Sequence, residues 1–169
     1  LIVAGCLAQR YKQEIIDEIP EVDAILGTTS YEEIGNVLNR LFGDENGKKE
    51  EHISCFHDLK ELPEHAKKRV MTTGGHYAFL KIAEGCDKRC TYCIIPYLRG
   101  PYRSVPMEQL LAEARELADN GVRELILVAQ ETTLYGKDLY GEKSLPKLLH
   151  ELAQIPGIYW IRIQYCYPE

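Results

Sequence analysis

The chain of 169 residues, 45% hydrophobic and 27% charged, has the composition of one globular domain, or of one domain with part of another. Its net charge of −6 supplies no bulk attraction to a phosphate backbone, and no apolar run of about 18 residues is present to span a membrane. Six cysteines with no secretory leader in view point to metal ligands or buried thiols rather than disulfides, and to a cytoplasmic setting.

Leu1 to Ala4 is a short apolar run closed by Gly5-Cys6. It lacks an initiator methionine and a basic flank, so it reads as a strand entered partway in a fragment of a longer protein. Ile15, Ile16 and Ile19 give one helical face stopped by Pro20, and Val22 to Leu26 is a second strand ended by Gly27. Ser30 and Glu33 have the spacing of a capping box, ahead of a helix carrying Ile34, Val37, Leu38 and Leu41 and stopped by Gly43. Residues 1–42 therefore read as the tail of a doubly wound α/β domain.

The pattern breaks between residues 43 and 75, where the charge runs 44–51 and Lys67-Lys68-Arg69 predict a linking segment. A second βα series follows. Tyr77 to Ala83 reads as a strand, and Pro106 opens a helix with Leu110, Leu111, Ala114, Leu117 and Ala118 on one face and Gly121 as its stop. Leu125 to Ala129 is apolar throughout, as in a parallel sheet covered on both sides. Ser144 precedes a helix with Leu148, Leu149 and Leu152, and Ile158 to Tyr165 reads as a third strand.

Between the first strand and first helix of this series stands Glu84-Gly85-Cys86-Asp87-Lys88-Arg89-Cys90-Thr91-Tyr92-Cys93. Three soft thiolates in a C-x3-C-x2-C loop suit an iron–sulfur cluster. A four-iron cluster with three protein ligands keeps one iron open to an exogenous group, as a catalytic zinc keeps an open position. Gly85, without a Cβ, lets backbone pass close to such a cluster. The other readings are a zinc knuckle completed by His57, His65 or His76, and a fully ligated structural cluster.

This loop, with Tyr92 between its last two cysteines, resembles the signature of the radical S-adenosylmethionine (SAM) superfamily. The longer run from Gly85 to Gly100, with Tyr102-Arg103-Ser104, is similar to the methylthiotransferases. Ala129-Gln130-Glu131-Thr132-Thr133, Tyr135-Gly136, Asp138 to Gly141 and Tyr165 to Pro168 look most like the members that methylthiolate a ribosomal-protein aspartate.

That resemblance implies the first half of a radical SAM partial (β/α) barrel over residues 76–169, after the C-terminal part of an auxiliary-cluster domain (1–42) and a linker (43–75). It implies a [4Fe-4S] cluster on Cys86, Cys90 and Cys93, with SAM chelating the open iron and cleaved there to a deoxyadenosyl radical. Tyr92, Gln130 and Glu131 are the expected SAM contacts, and no further residue is assigned to catalysis.

Gly5 to Tyr11 matches the segment bearing one of three ligands to a second, auxiliary [4Fe-4S] cluster, which makes Cys6 such a ligand. The two companion cysteines, the later barrel strands and an RNA-binding-type C-terminal domain through which nucleic acid is contacted would lie outside residues 1–169. The fragment is expected to be inactive alone. The expected partners are a small-subunit ribosomal protein as substrate and an electron-donor protein, with no membrane. The rival activities are methylthiolation of a tRNA adenosine and, in another class, a non-catalytic iron–sulfur or zinc module. Arg99 and Arg103 read as surface ion-pairing groups, Cys55 and Cys166 as structural, and His52, His57, His65, His76 and His150 receive no role.

Overall fold

The computed structural model describes residues 1–43, 50–62, 70–72 and 74–167. Residues 44–49 of the first charge run, Lys67-Lys68-Arg69, His65 and Pro168 lie outside them. The chain divides into two compact units, one of residues 1–65 with Tyr97–Arg99 and one of residues 66–96 with 100–169.

In the first unit, β1 (Ile2–Ala4), β2 (Ala24–Leu26) and β3 (Ile53–Cys55) form a parallel sheet in that order. Ile2 pairs with Ala24, and Ala24 with Ile53. Successive side chains of a strand point to opposite faces, and the packing follows that period. Ile25 joins Ala8, Ile15, Ile16 and Val22 in one core, whereas Ala24 and Leu26 join Val37 and Ile53 in another. Helices α1 (Cys6–Tyr11) and α2 (Gln13–Glu18) serve the first core and α3 (Ile34–Phe42) the second, which makes a doubly wound arrangement.

Three local readings of this unit change. The single expected helix before Pro20 is two short ones, because Lys12 takes φ 45° and breaks the run. β3 lies inside the segment read as a linker; its three residues are too few to carry a periodic signal. Ser30 does not cap a helix: its Oγ accepts from the His57 N–H at 3.0 Å, a 3-10 turn follows at Tyr31–Glu33, and Glu33 accepts from Asn36 instead.

In the second unit, β4 (Tyr77–Lys81), β7 (Glu124–Val128) and β8 (Trp160–Ile163) form a parallel sheet with β7 central. Ala78 pairs with Leu125, which pairs with Ile161, and Leu80 with Leu127, which pairs with Ile163. These six pack against Leu110, Ala114 and Leu117 of α5 (Met107–Asp119) and Leu148 and Leu152 of α7 (Leu145–Ala153). Leu80, Leu110, Leu125, Leu127, Leu148 and Leu152 are fully buried, and each burial stabilises by about 1.5–3 kcal/mol. The opposite face carries Phe79, Ile126, Val128 and the Glu124–Arg162 ion pair (2.7 Å), so the strands present their second side to something other than these helices. This βαβαβ order is that of a parallel barrel segment.

A two-residue strand, β5 (Ala83–Glu84), pairs antiparallel with β6 (Arg103–Ser104) and closes the base of the loop between them. A short helix α4 (Ile95–Arg99) follows the cysteines, and α6 (Lys137–Tyr140) follows β7. The strand expected over Tyr77–Ala83 takes in only the first residue of β5, and the other three are too short to show a period.

Candidate functional site

The cysteine loop leaves the sheet at β5 and turns at Gly85, whose φ is 74°. A Cβ there would stand 2.0 Å from the Pro101 carbonyl oxygen and 2.6 Å from that of Gly100. Only glycine fits, and the close approach lets the Cys86 N–H donate to the Gly100 carbonyl at 3.2 Å. The Cys93 N–H donates to the Cys90 carbonyl at 3.0 Å, and the Tyr102 N–H to Asp87 Oδ1 at 3.1 Å. Two backbone bonds and one to the Asp87 carboxylate thus tie the start of the loop to residues 100–102 and close a turn over residues 90–93.

All three thiols are free; Cys86 is buried, Cys93 half-buried and Cys90 exposed. Burial pushes the Cys86 thiol up, partly opposed by the Lys88 N–H, and the charges of Glu131, Cys93 and Cys90 push it the same way as burial. A cation placed there would displace the proton and relieve the repulsion among the sulfurs. Among the described residues no three His, Cys, Asp or Glu side chains gather as they would around one metal ion. A four-iron cluster makes a different demand, because each cysteine binds its own iron. Three unpaired soft donors within eight residues fit that demand. His57 lies 3.9 Å from Glu33 Oε1 and 4.0 Å from Cys55 Sγ, and His76 Nδ1 lies 3.3 Å from the Gly74 carbonyl.

A cavity of about 320 Å3 adjoins the strand ends, lined by Lys81, Ile95, Val128, Ala129, Gln130 and Tyr165. Lys81 ends β4, Val128 ends β7, and Ile95 lies two residues beyond Cys93. The C-terminal ends of parallel strands are where barrel sites form, and the volume is that of a small-ligand pocket. Gln130 Oε1 is buried with no hydrogen-bond partner. An orphaned acceptor of this kind is costly unless a donor arrives, and a ligand ammonium or amide would supply one. Sequence reasoning picked out Gln130 but not Lys81, Ile95 or Tyr165, which only the three-dimensional strand order brings together.

Glu131 is buried, and its Oε1 accepts from the Thr133 N–H at 3.0 Å and from the Thr133 hydroxyl at 2.5 Å. Its Oε2 lies 3.2 Å from Lys88 Nζ. Burial alone would raise the carboxyl, yet the Thr133 bonds and the Lys88 ammonium outweigh it and hold Glu131 below the usual carboxylate range. Tyr92 is 91% exposed, its ring open to a ligand face. Arg103 is buried rather than at the surface, donating to the Pro101 carbonyl at the base of the loop. Arg99 is half-buried. Cys166 is exposed, 3.3 Å from the Thr132 hydroxyl.

In the first unit, Cys6 is half-buried at the start of α1, behind Gly5 at φ 99°. No described helix is long and apolar enough to cross a membrane.

Residues 80–168 match the Radical SAM superfamily. The whole chain is 63% identical to the ribosomal protein uS12 methylthiotransferase RimO of Lachnoclostridium phytofermentans, covering 37% of that protein. It is 54% identical to the protein of the same name from Acetivibrio thermocellus and 49% to that from Clostridioides difficile, covering 38% and 37% of them. The chain thus spans under two-fifths of the length of these curated relatives.

Proposed function

The chain belongs to the radical SAM superfamily, and from that premise we propose that it is part of an enzyme that methylthiolates the β-carbon of an aspartate in the small-subunit ribosomal protein uS12. The observation that carries this reading is the Cys86/Cys90/Cys93 loop inside a 63% identity, over all 169 residues, to a protein named as a ribosomal protein uS12 methylthiotransferase. When bound, a [4Fe-4S] cluster and SAM supply a radical able to take hydrogen from an unactivated carbon.

The chain's own residues then have defined tasks. Cys86, Cys90 and Cys93 hold the cluster by three thiolates. Gln130 accepts from SAM's amino group through the oxygen that otherwise has no partner, with Glu131 beside it. Tyr92 offers its exposed ring to the adenine. Ile95, Val128 and Ala129 give the cavity apolar walls beside the reacting carbon. Cys6 is one ligand of an auxiliary cluster in the first unit, whose sheet runs on to β3 at Ile53–Cys55, and residues 1–169 alone are inactive. An electron-donor protein and nucleic-acid contacts belong to the intact enzyme in the cytoplasm.

Mass spectrometry of ribosomal proteins and tRNA from a deletion strain tests the substrate. Unmodified uS12 aspartate with normal tRNA is expected; normal uS12 with tRNA lacking a methylthio group would transfer the activity to tRNA adenosine. Anaerobic reconstitution of the intact protein tests the chemistry: zinc in place of iron, or no deoxyadenosine from SAM, would leave a non-catalytic module.

A further inference from the structure

Lys88 lies between Cys86 and Cys90, where a solvated lysine would be the ordinary expectation. Instead its ammonium is 3.2 Å from Glu131 Oε2 and 3.6 Å from the centroid of the Tyr167 ring. The lysine side chain is 19% exposed and that of Glu131 only 4%, so the ion pair is largely shielded from water. A buried charge that loses its partner is left uncompensated, and an ammonium over an aromatic face gains further attraction when desolvated.

Glu131 is itself fixed by both Thr133 donors, just beyond the end of β7. Tyr167 belongs to the segment after β8, and the Tyr165 carbonyl in that segment accepts from the Thr132 N–H and hydroxyl, each at 3.2 Å. An anchor of the buried Glu131 and the half-exposed Tyr167 therefore reaches the cysteine loop from the strand ends, and one side chain, Lys88, receives it.

We propose that Lys88 is a positioning residue: clamped between the Glu131 carboxylate and the Tyr167 ring, it fixes the cysteine loop to the C-terminal end of the sheet, so that the three thiols are presented toward the cavity at Gln130. The geometry that the cluster needs is then partly built before any iron arrives. This rests on the reading of the loop as a cluster site, but the clamp is a property of the protein alone and is measurable without the cluster.

The test is hydrogen exchange on the intact, cluster-free protein. Lys88→Met is expected to speed exchange at the Cys86 and Cys93 amides about 10-fold, with the amides of β4 and β7 unchanged, while Lys88→Arg stays within about 3-fold of wild type. After anaerobic reconstitution, Lys88→Met should need about 10-fold more SAM for the half-maximal change in the cluster's paramagnetic resonance spectrum, and Lys88→Arg should restore it. Wild-type exchange at Cys86 and Cys93 in Lys88→Met overturns the proposal; so does equal acceleration in β4 and β7, failure of Lys88→Arg to restore the loop, or an unchanged SAM response. If wild-type protein itself shows no SAM response, the proposed function fails, while the exchange result still decides the clamp.

Discussion

A Cβ at Gly85 would meet backbone oxygen rather than a movable side chain, with the Pro101 carbonyl at 2.0 Å and φ at 74°. Neither can relax without separating residue 85 from residues 100–101, and with it the Cys86–Gly100 bond. Gly85→Ala is therefore expected to destabilise the second unit by about 1–3 kcal/mol in urea titration, and to lower the iron retained on anaerobic reconstitution. At Glu131 the sign of the pH effect follows from its partners. Its carboxyl is held below the ordinary 4.5 in the folded chain, so its charged form stabilises the fold above that value, and the contribution is lost as pH falls through the lower folded value. Glu131→Gln should flatten the decline of stability with acid below about pH 4.5; an acid limb as steep as wild type would show that Glu131 is not held low. At this scale the cysteine loop was legible as a candidate ligand set, because soft donors at fixed spacing are a chemical signal that needs no fold, whereas Gly85, read as making room for a cluster, makes room for the carbonyls of residues 100–101. The Lys88–Glu131 pair was not: 43 positions separate the two in sequence, and only strand packing brings them together.

For the helices and strands, the legible parts were those with a period. α5 buries Leu110, Ala114, Leu117 and Ala118, the face its spacing predicted, and α7 buries Leu148 and Leu152 in the same way. Alternation in β2 sends Ile25 into one core and Ala24 and Leu26 into the other. Two- and three-residue elements such as β3, β5 and β6 carry too few positions for any pattern, and their existence is a consequence of pairing. The capping-box reading at Ser30 failed for a related reason. A serine oxygen satisfies whichever N–H the tertiary fold brings to it, and here that is His57, 27 residues away, rather than a helix terminus. Ser30→Ala is therefore expected to cost about 0.5–1.5 kcal/mol, the net worth of an ordinary intramolecular hydrogen bond. Glu33→Ala, which a capping box would make comparably harmful, should change stability by less than about 0.5 kcal/mol. Equal losses in the two variants would restore the cap.

Across the molecule, each unit has its own core: that of β4–β7–β8 packs on α5 and α7, and those around β2 on α1, α2 and α3. Residues 86–93, which carry the three cysteines, fall within the β4–β7–β8 unit, so cluster loading is linked thermodynamically to the folding of that unit. The linkage has a definite sign. A group that binds the folded state and not the unfolded one adds RT ln(1 + [L]/Kd), about 2.7 kcal/mol when its concentration is 100 times Kd. At about 4–8 °C per kcal/mol for a domain of 60–100 residues, loading should raise the melting temperature of this unit by up to about 10–20 °C. Unfolded cysteines also bind metal, which sets that figure as an upper range. Scanning calorimetry under argon, before and after iron and sulfide are supplied and again after chelation, measures the shift and its reversal. The protein with Cys86, Cys90 and Cys93 all changed to alanine provides the baseline, since any other cluster the intact chain holds contributes equally to both. A rise in the wild type matched by the triple variant would mean that iron stabilises the protein somewhere other than this loop, and the assignment of the loop as the cluster's seat would fall with it.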